Sequence, residues 1–137
     1  IMHGDFHLGN LVAAHDLPAR LEGIVDWENA TIGDPLLDVG YLLSTWPDPS
    51  RPDDAPGRIA LHPGVPTRTE MLERYARVSG RDLGAIDFYD VLSQYKLACM
   101  LEGIHARQRD TPYHDTSTIA SYVLTLIDRA RAIIVAQ

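Results

Sequence analysis

The chain has 137 residues, a formal net charge of −7 and 45% hydrophobic residues. That is the length of one domain, with apolar content enough for a core. The acidic balance argues against nucleic acid as a partner, because phosphate binding needs basic surface. No apolar run approaches the roughly eighteen residues of a membrane span, so no membrane partner is expected. The single cysteine, Cys99, excludes an internal disulfide framework and fits a reducing, cytoplasmic setting.

Residues 1–10 read as a strand end and a loop, with Gly4 and Gly9 supplying backbone freedom. Leu11 to Ala14 looks like a short strand, His15 to Ala19 a turn with Pro18, and Leu21 to Trp27 a second strand. Together they predict a hairpin that carries Asn10 at one end and returns Asp26 to the same end. Asp34 suits an N-cap and Pro35 a first helical position, opening a largely apolar, buried helix from Pro35 to Thr45.

Residues 47–66 hold six of the nine prolines and are expected to form a long loop. Thr67-Arg68-Thr69-Glu70 matches a capping box. It opens a helix from Arg68 to Ser79, with Met71, Leu72, Tyr75 and Val78 on one face and Gly80 as the stop. A longer helix follows from Asp87 to Arg109, whose wide apolar stripe predicts deep burial. Within it Cys99 reads as a small buried hydrophobe, and Tyr95, like Trp27 and Trp46, as core or pocket wall. A last helix runs from Ser117 to Ala136. The fold class is therefore α+β and mostly helical, a hairpin followed by about four helices with no βαβ alternation.

The first ten residues carry the chemistry. His3-x-Asp5-x-x-x-x-Asn10 has the spacing of a phosphoryl-transfer catalytic loop, in which the Asp accepts the proton of the attacking hydroxyl and the Asn holds a metal ion. Ile24-Val25-Asp26-Trp27 supplies a second carboxylate at the end of a strand. Magnesium takes oxygen ligands, usually a few protein groups plus phosphates and water; the Asn10 amide oxygen and the Asp26 carboxylate suit it. His3 is expected to organise the loop by hydrogen bonding to backbone.

Glu28 reaches the same site if its strand stays extended, since i and i+2 share a face. His7 is read as structural or surface, with substrate contact as the alternative. Asp38 lies inside a buried helix, needs a partner, and is expected in the hydrogen bonding of the loop. Glu102 and His105 are neighbours on one helix face; they form a polar pair at the core edge or line an acceptor site. His3 and His7 lack a third ligand at zinc spacing. Without the chemical reading, Asp5 and Asn10 would cap turns and Asp26 would end a strand.

His3-Gly4-Asp5-Phe6-His7-Leu8-Gly9-Asn10, Ile24-Val25-Asp26-Trp27-Glu28 and Gly33-Asp34-Pro35-Leu36-Leu37-Asp38 together resemble the aminoglycoside phosphotransferase family. That family includes choline kinases and is distantly similar to protein kinases. Asp87-Phe88-Tyr89 and Leu101-Glu102-Gly103-Ile104 look like the branch close to the kinase-like domain found beside acyl-CoA dehydrogenases. The resemblance implies the helical C-terminal lobe of a kinase-like enzyme. It makes Asp5 the base and Asn10 and Asp26 the magnesium ligands, with ATP or GTP as donor and a small-molecule hydroxyl as acceptor.

The chain opens on the motif at Ile1, without the lobe that in this family covers the phosphates and supplies a phosphate-pairing lysine. Residues 1–137 are therefore expected to be the catalytic lobe of a longer protein, with that N-terminal lobe as its partner. Alone they are expected to bind nucleotide weakly, to transfer nothing, and to self-associate through the exposed inter-lobe face. Two other classes compete: a binding module that keeps the fold without the chemistry, and a metal-dependent hydrolase using the same carboxylates.

Overall fold

The computed structural model describes residues 1–18, 20–46, 64–108 and 117–136. A two-stranded antiparallel hairpin, β1 (Leu11–Ala13) and β2 (Leu21–Ile24), is followed by α1 (Leu36–Thr45), α2 (Arg68–Ser79), α3 (Ile86–Gln108) and α4 (Ser117–Val135). This is the mostly helical α+β chain that the sequence predicts. The Pro-rich expectation for 47–66 lies outside the described residues except at its end, where 64–66 have no regular structure.

The core lies where α3 packs against α1 and α4. Tyr41, Leu97, Ala98 and Leu126 form its buried centre, with Leu101, Tyr122, Val123 and Ile127 packed around them. Leu126 is fully buried, which contributes about 1.5–3 kcal/mol relative to an exposed side chain. α1 meets α3 closely at Gly40, where a Cβ would sit 2.5 Å from the Tyr89 carbonyl oxygen and 2.9 Å from Ser93 Oγ. Only glycine permits that approach. The Ser93 hydroxyl then donates to the Leu37 carbonyl at 3.2 Å, so the contact is polar as well as close.

Local signals set most element ends. Thr67 and Glu70 form the predicted capping box, and Gly80 ends α2 in the left-handed conformation at φ 67°. α1 starts one residue later than expected. Asp34 Oδ1 accepts from the Leu36 N–H at 2.9 Å, and Asp34 Oδ2 accepts from the Tyr89 hydroxyl at 3.1 Å, which ties the start of α1 to α3.

Three expectations need correction. β2 ends at Ile24, not Trp27, because Asp26 adopts a left-handed conformation (φ 66°) and Trp27–Asn29 form a 3-10 turn. That turn brings Thr31 back against Met2, whose backbones exchange hydrogen bonds of 2.9 and 3.1 Å. The stripe on α3 is not deeply buried throughout: Phe88 is 61% and Tyr95 59% exposed, and Cys99 is exposed. The side of α3 that is buried carries Asp90, Ser93 and Gln94 as well as Leu97 and Ala98. Apolar count overstated the burial because only one arc of a helix can face α1 and α4. α2 likewise buries none of its residues fully; its apolar face turns toward an open groove.

Candidate active site

The loop from His3 to Asn10 is held from several sides. Asp38, in the first turn of α1, accepts from the His3 N–H at 2.6 Å and from the Gly4 N–H at 2.8 Å. This is the loop partner that the sequence expects for Asp38. The His3 ring, 3% exposed, accepts from the Asp5 N–H at Nδ1 (3.2 Å) and lies 2.8 Å from the Val25 carbonyl at Nε2. A ring that accepts at Nδ1 carries its proton on Nε2, so that second contact is a donation to Val25. His3 thereby ties the loop to the end of β2. Its ring also lies 4.6 Å from that of Trp27 and 6.0 Å from that of Phe6.

Gly4 turns at φ 82°, and a Cβ there would run into the Asn29 carbonyl. No other residue type adopts that conformation easily. Asn10 donates from Nδ2 to the Asp5 carbonyl at 2.9 Å and to Asp5 Oδ2 at 3.4 Å. Its amide orientation leaves Oδ1 with no donor among the described residues.

The hairpin register brings the backbone just before the second carboxylate back to Asn10. Leu11 pairs with Ile24, and the Val25 N–H donates to the Asn10 carbonyl at 3.0 Å. Asp26 follows at once and is exposed, without a hydrogen bond or ion pair among the described residues. Its left-handed backbone is the one positive φ outside glycine among them. Such a conformation costs on the order of 1–3 kcal/mol and is found preferentially at functional sites. One amide oxygen and one carboxylate form a hard-oxygen donor pair, which suits magnesium completed by phosphates and water.

His7 takes the structural role expected of it. Its Nδ1 accepts from the Gly9 N–H at 3.0 Å, capping the 3-10 turn Leu8–Asn10, while its Nε2 lies 3.7 Å from Asp5 Oδ2. Tyr41, on α1 one turn beyond Asp38, is 5% exposed. Burial, then its hydrogen bond to Asp5 and the charge of that carboxylate, push the Tyr41 phenol well above its ordinary range. Lys96 of α3 donates from Nζ to the Gly4 carbonyl and lies 5.4 Å from the centre of the Tyr41 ring.

Three other predicted positions differ from what the sequence suggests. Glu28 sits in the 3-10 turn and is exposed; the extended backbone that would have aimed it at the site is absent there. Glu102 is exposed and His105 half-buried, with its buried Nδ1 unpartnered among the described residues, so the expected polar pair does not form. They lie one to three turns past Lys96 on α3. The residue of α3 that reaches the loop is Lys96. Sequence reasoning missed Lys96 and Tyr41, yet both left a signal. Lys96 is the only lysine of the chain, and Tyr41 follows Asp38 at i+3, on the same helix face.

An open groove of about 790 Å³ lies behind the loop and not over Asp5. His3, Phe6, Trp27, α1 and the apolar face of α2 line it, whereas Asp5, Asn10 and Asp26 do not.

A loop braced by a helix carboxylate is thus joined, through a hairpin, to the segment that carries a second carboxylate. The chain belongs to the phosphotransferase enzyme family, whose sequence profile matches residues 1–89. It is 33% identical over 111 residues to acyl-CoA dehydrogenase family member 11 of Homo sapiens, covering 78% of this chain and 14% of that protein. It is 30% identical over 114 residues to the probable acyl-CoA dehydrogenase IBR3 of Arabidopsis thaliana, with the same coverage of 78% and 14%. Acyl-CoA dehydrogenase family member 10 of Mus musculus is 33% identical over 113 residues, covering 78% of this chain and 10% of that protein. The chain thus spans a small part of the curated relatives it matches. No solved structure matches it. Among the described residues, no helix is long and apolar enough to cross a membrane.

Proposed function

We propose that this chain is the catalytic lobe of an ATP- or GTP-dependent phosphotransferase that moves the γ-phosphate to a hydroxyl of a small molecule. The observation that supports the reading is the hairpin register: it pairs the Val25 N–H, one residue before Asp26, with the carbonyl of Asn10, whose amide in turn holds Asp5. Asp5 accepts the proton of the attacking hydroxyl as its oxygen bonds to phosphorus and the bond to the departing nucleoside diphosphate breaks. Asn10 Oδ1 and the Asp26 carboxylate hold magnesium. The ion, when bound, neutralises charge on the phosphates. His3 and Asp38 keep the loop in place and take no part in bond making.

The acceptors worth testing are aminoglycosides, sugars, choline-like alcohols and a hydroxyacyl-CoA.

The test uses the intact protein with labelled ATP, magnesium and that acceptor panel. Transfer that is lost in Asp5→Asn and in Asp26→Ala supports the reading. Undiminished transfer in both variants overturns it, and nucleotide binding without turnover on any acceptor points instead to a binding module that kept the fold.

A further inference from the structure

Lys96 has no role in the reaction as outlined, yet it is a half-buried cation that reaches back 92 residues to the loop. Its acceptor is the Gly4 carbonyl, which belongs to the same peptide unit as the Asp5 N–H. That N–H is already held by His3 Nδ1 at 3.2 Å. A peptide unit is planar, so holding its C=O from α3 and its N–H from the His3 ring fixes its plane. The plane sets where the Asp5 Cα, and hence the carboxylate, projects.

Gly4 is held on its other side too, because its own N–H is bound by Asp38. Both polar groups of Gly4 are thus taken by side chains from two helices, α1 and α3. That matters at a glycine, at φ 82°, whose backbone has the most freedom to move when unheld. Lys96 is itself steadied by the Tyr41 ring, 5.4 Å from its ammonium. A cation over an aromatic face is an attractive contact. Tyr41 in turn faces Asp5, so base, clamp and shelf form one cluster.

We propose that Lys96 is the positioning residue of Asp5: by clamping the Gly4–Asp5 peptide from α3, with Tyr41 as its shelf, it fixes the carboxylate in line with the acceptor hydroxyl. This rests on the reading of Asp5 as the base. The role needs charge and reach, not the shape of lysine alone. An arginine retains both, while a methionine keeps only the stem.

The experiment compares Lys96→Met and Lys96→Arg in the intact protein, with Asp5→Asn as reference. Turnover of Mg²⁺·ATP is measured with water as acceptor, and hydrogen exchange of the peptide spanning residues 1–10 is measured alongside. A misplaced reacting group costs up to about 100-fold in rate. Lys96→Met is therefore expected to lower kcat by about 10- to 100-fold, to leave KM for ATP within about threefold, and to speed exchange in the loop. Lys96→Arg should restore most of both.

A Lys96→Met variant with unchanged kcat and unchanged loop exchange overturns the proposal. So does a loss that Lys96→Arg fails to recover, or one that appears as a rise in KM alone. Exchange reads the clamp directly even where turnover is too slow to measure. Turnover that survives Asp5→Asn while Lys96→Met still loosens the loop would defeat the base assignment and leave the clamp standing.

Discussion

Replacing Asp38 by asparagine tests how the candidate site is held. The carboxylate accepts two backbone N–H groups, from His3 at 2.6 Å and from Gly4 at 2.8 Å. Asparagine has one oxygen, so one bond survives and an NH₂ group is turned against the other N–H. Hydrogen bonds to a charged partner contribute about 1.5–3 kcal/mol each, and a buried donor left unmade carries its own penalty. With Asp38 half-buried, the expected loss is about 2–4 kcal/mol. For a domain of this size that lowers the melting temperature by roughly 6–12 °C. The assay is thermal unfolding by circular dichroism, paired with amide exchange at His3 and Gly4, whose protection should fall first. A melting temperature within about 1 °C of the parent, with both amides still protected, would refute the assignment of Asp38 as the brace of the loop.

Four further outcomes follow from the structure. Arg68→Ala strands the Asp90 carboxylate, 3% exposed and held otherwise by Gln94 Nε2 at 2.9 Å; urea unfolding should show a loss of about 3–5 kcal/mol, only part of it recovered when Asp90 is replaced by leucine in the same chain, because Gln94 Nε2 then loses its acceptor. Gly40→Ala pushes a methyl group into the Tyr89 carbonyl and should cost about 1–3 kcal/mol. By contrast, Gly23→Ala, with nothing within 4 Å of the added carbon, should change stability by about 0.5 kcal/mol or less. Glu70 is held below the ordinary carboxylate range by the Thr67 backbone N–H first and the Thr67 hydroxyl second. A depressed folded value means that its contribution is present above that range and lost as pH falls. Melting temperature should therefore drop between about pH 5 and pH 3 in the parent chain and respond less in Glu70→Gln.

The relation between sequence and structure differs from element to element. The capping box at Thr67 and Glu70, the stop at Gly80 and the loop from His3 to Asn10 were legible because each depends on residues a few positions apart. A side chain that bonds the backbone three residues on needs no tertiary partner to be recognised. The hairpin was legible for the same reason, and with it the return of Asp26 toward Asn10. Asp38 was foreseeable by elimination, since a carboxylate inside an apolar helix requires donors.

What the tertiary structure decided concerns which side of each element is used. Whether β2 stayed extended through Trp27 was decided together with the return of Thr31 to Met2, a contact no local pattern announces, and it took away the extended backbone on which Glu28 was expected to reach the site. The burial of Asp90 and Gln94, and the exposure of Phe88, Tyr95 and Cys99, followed from how α3 lies between α1 and α4. The sequence by itself determined the family, the helical content and the motif that carries the chemistry, because these are written in residue types at short spacing. Only the folded chain placed Lys96 on the Gly4 carbonyl and Tyr41 beside Asp5. Those contacts join distant segments, and their geometry is set by how α1 and α3 pack around Gly40.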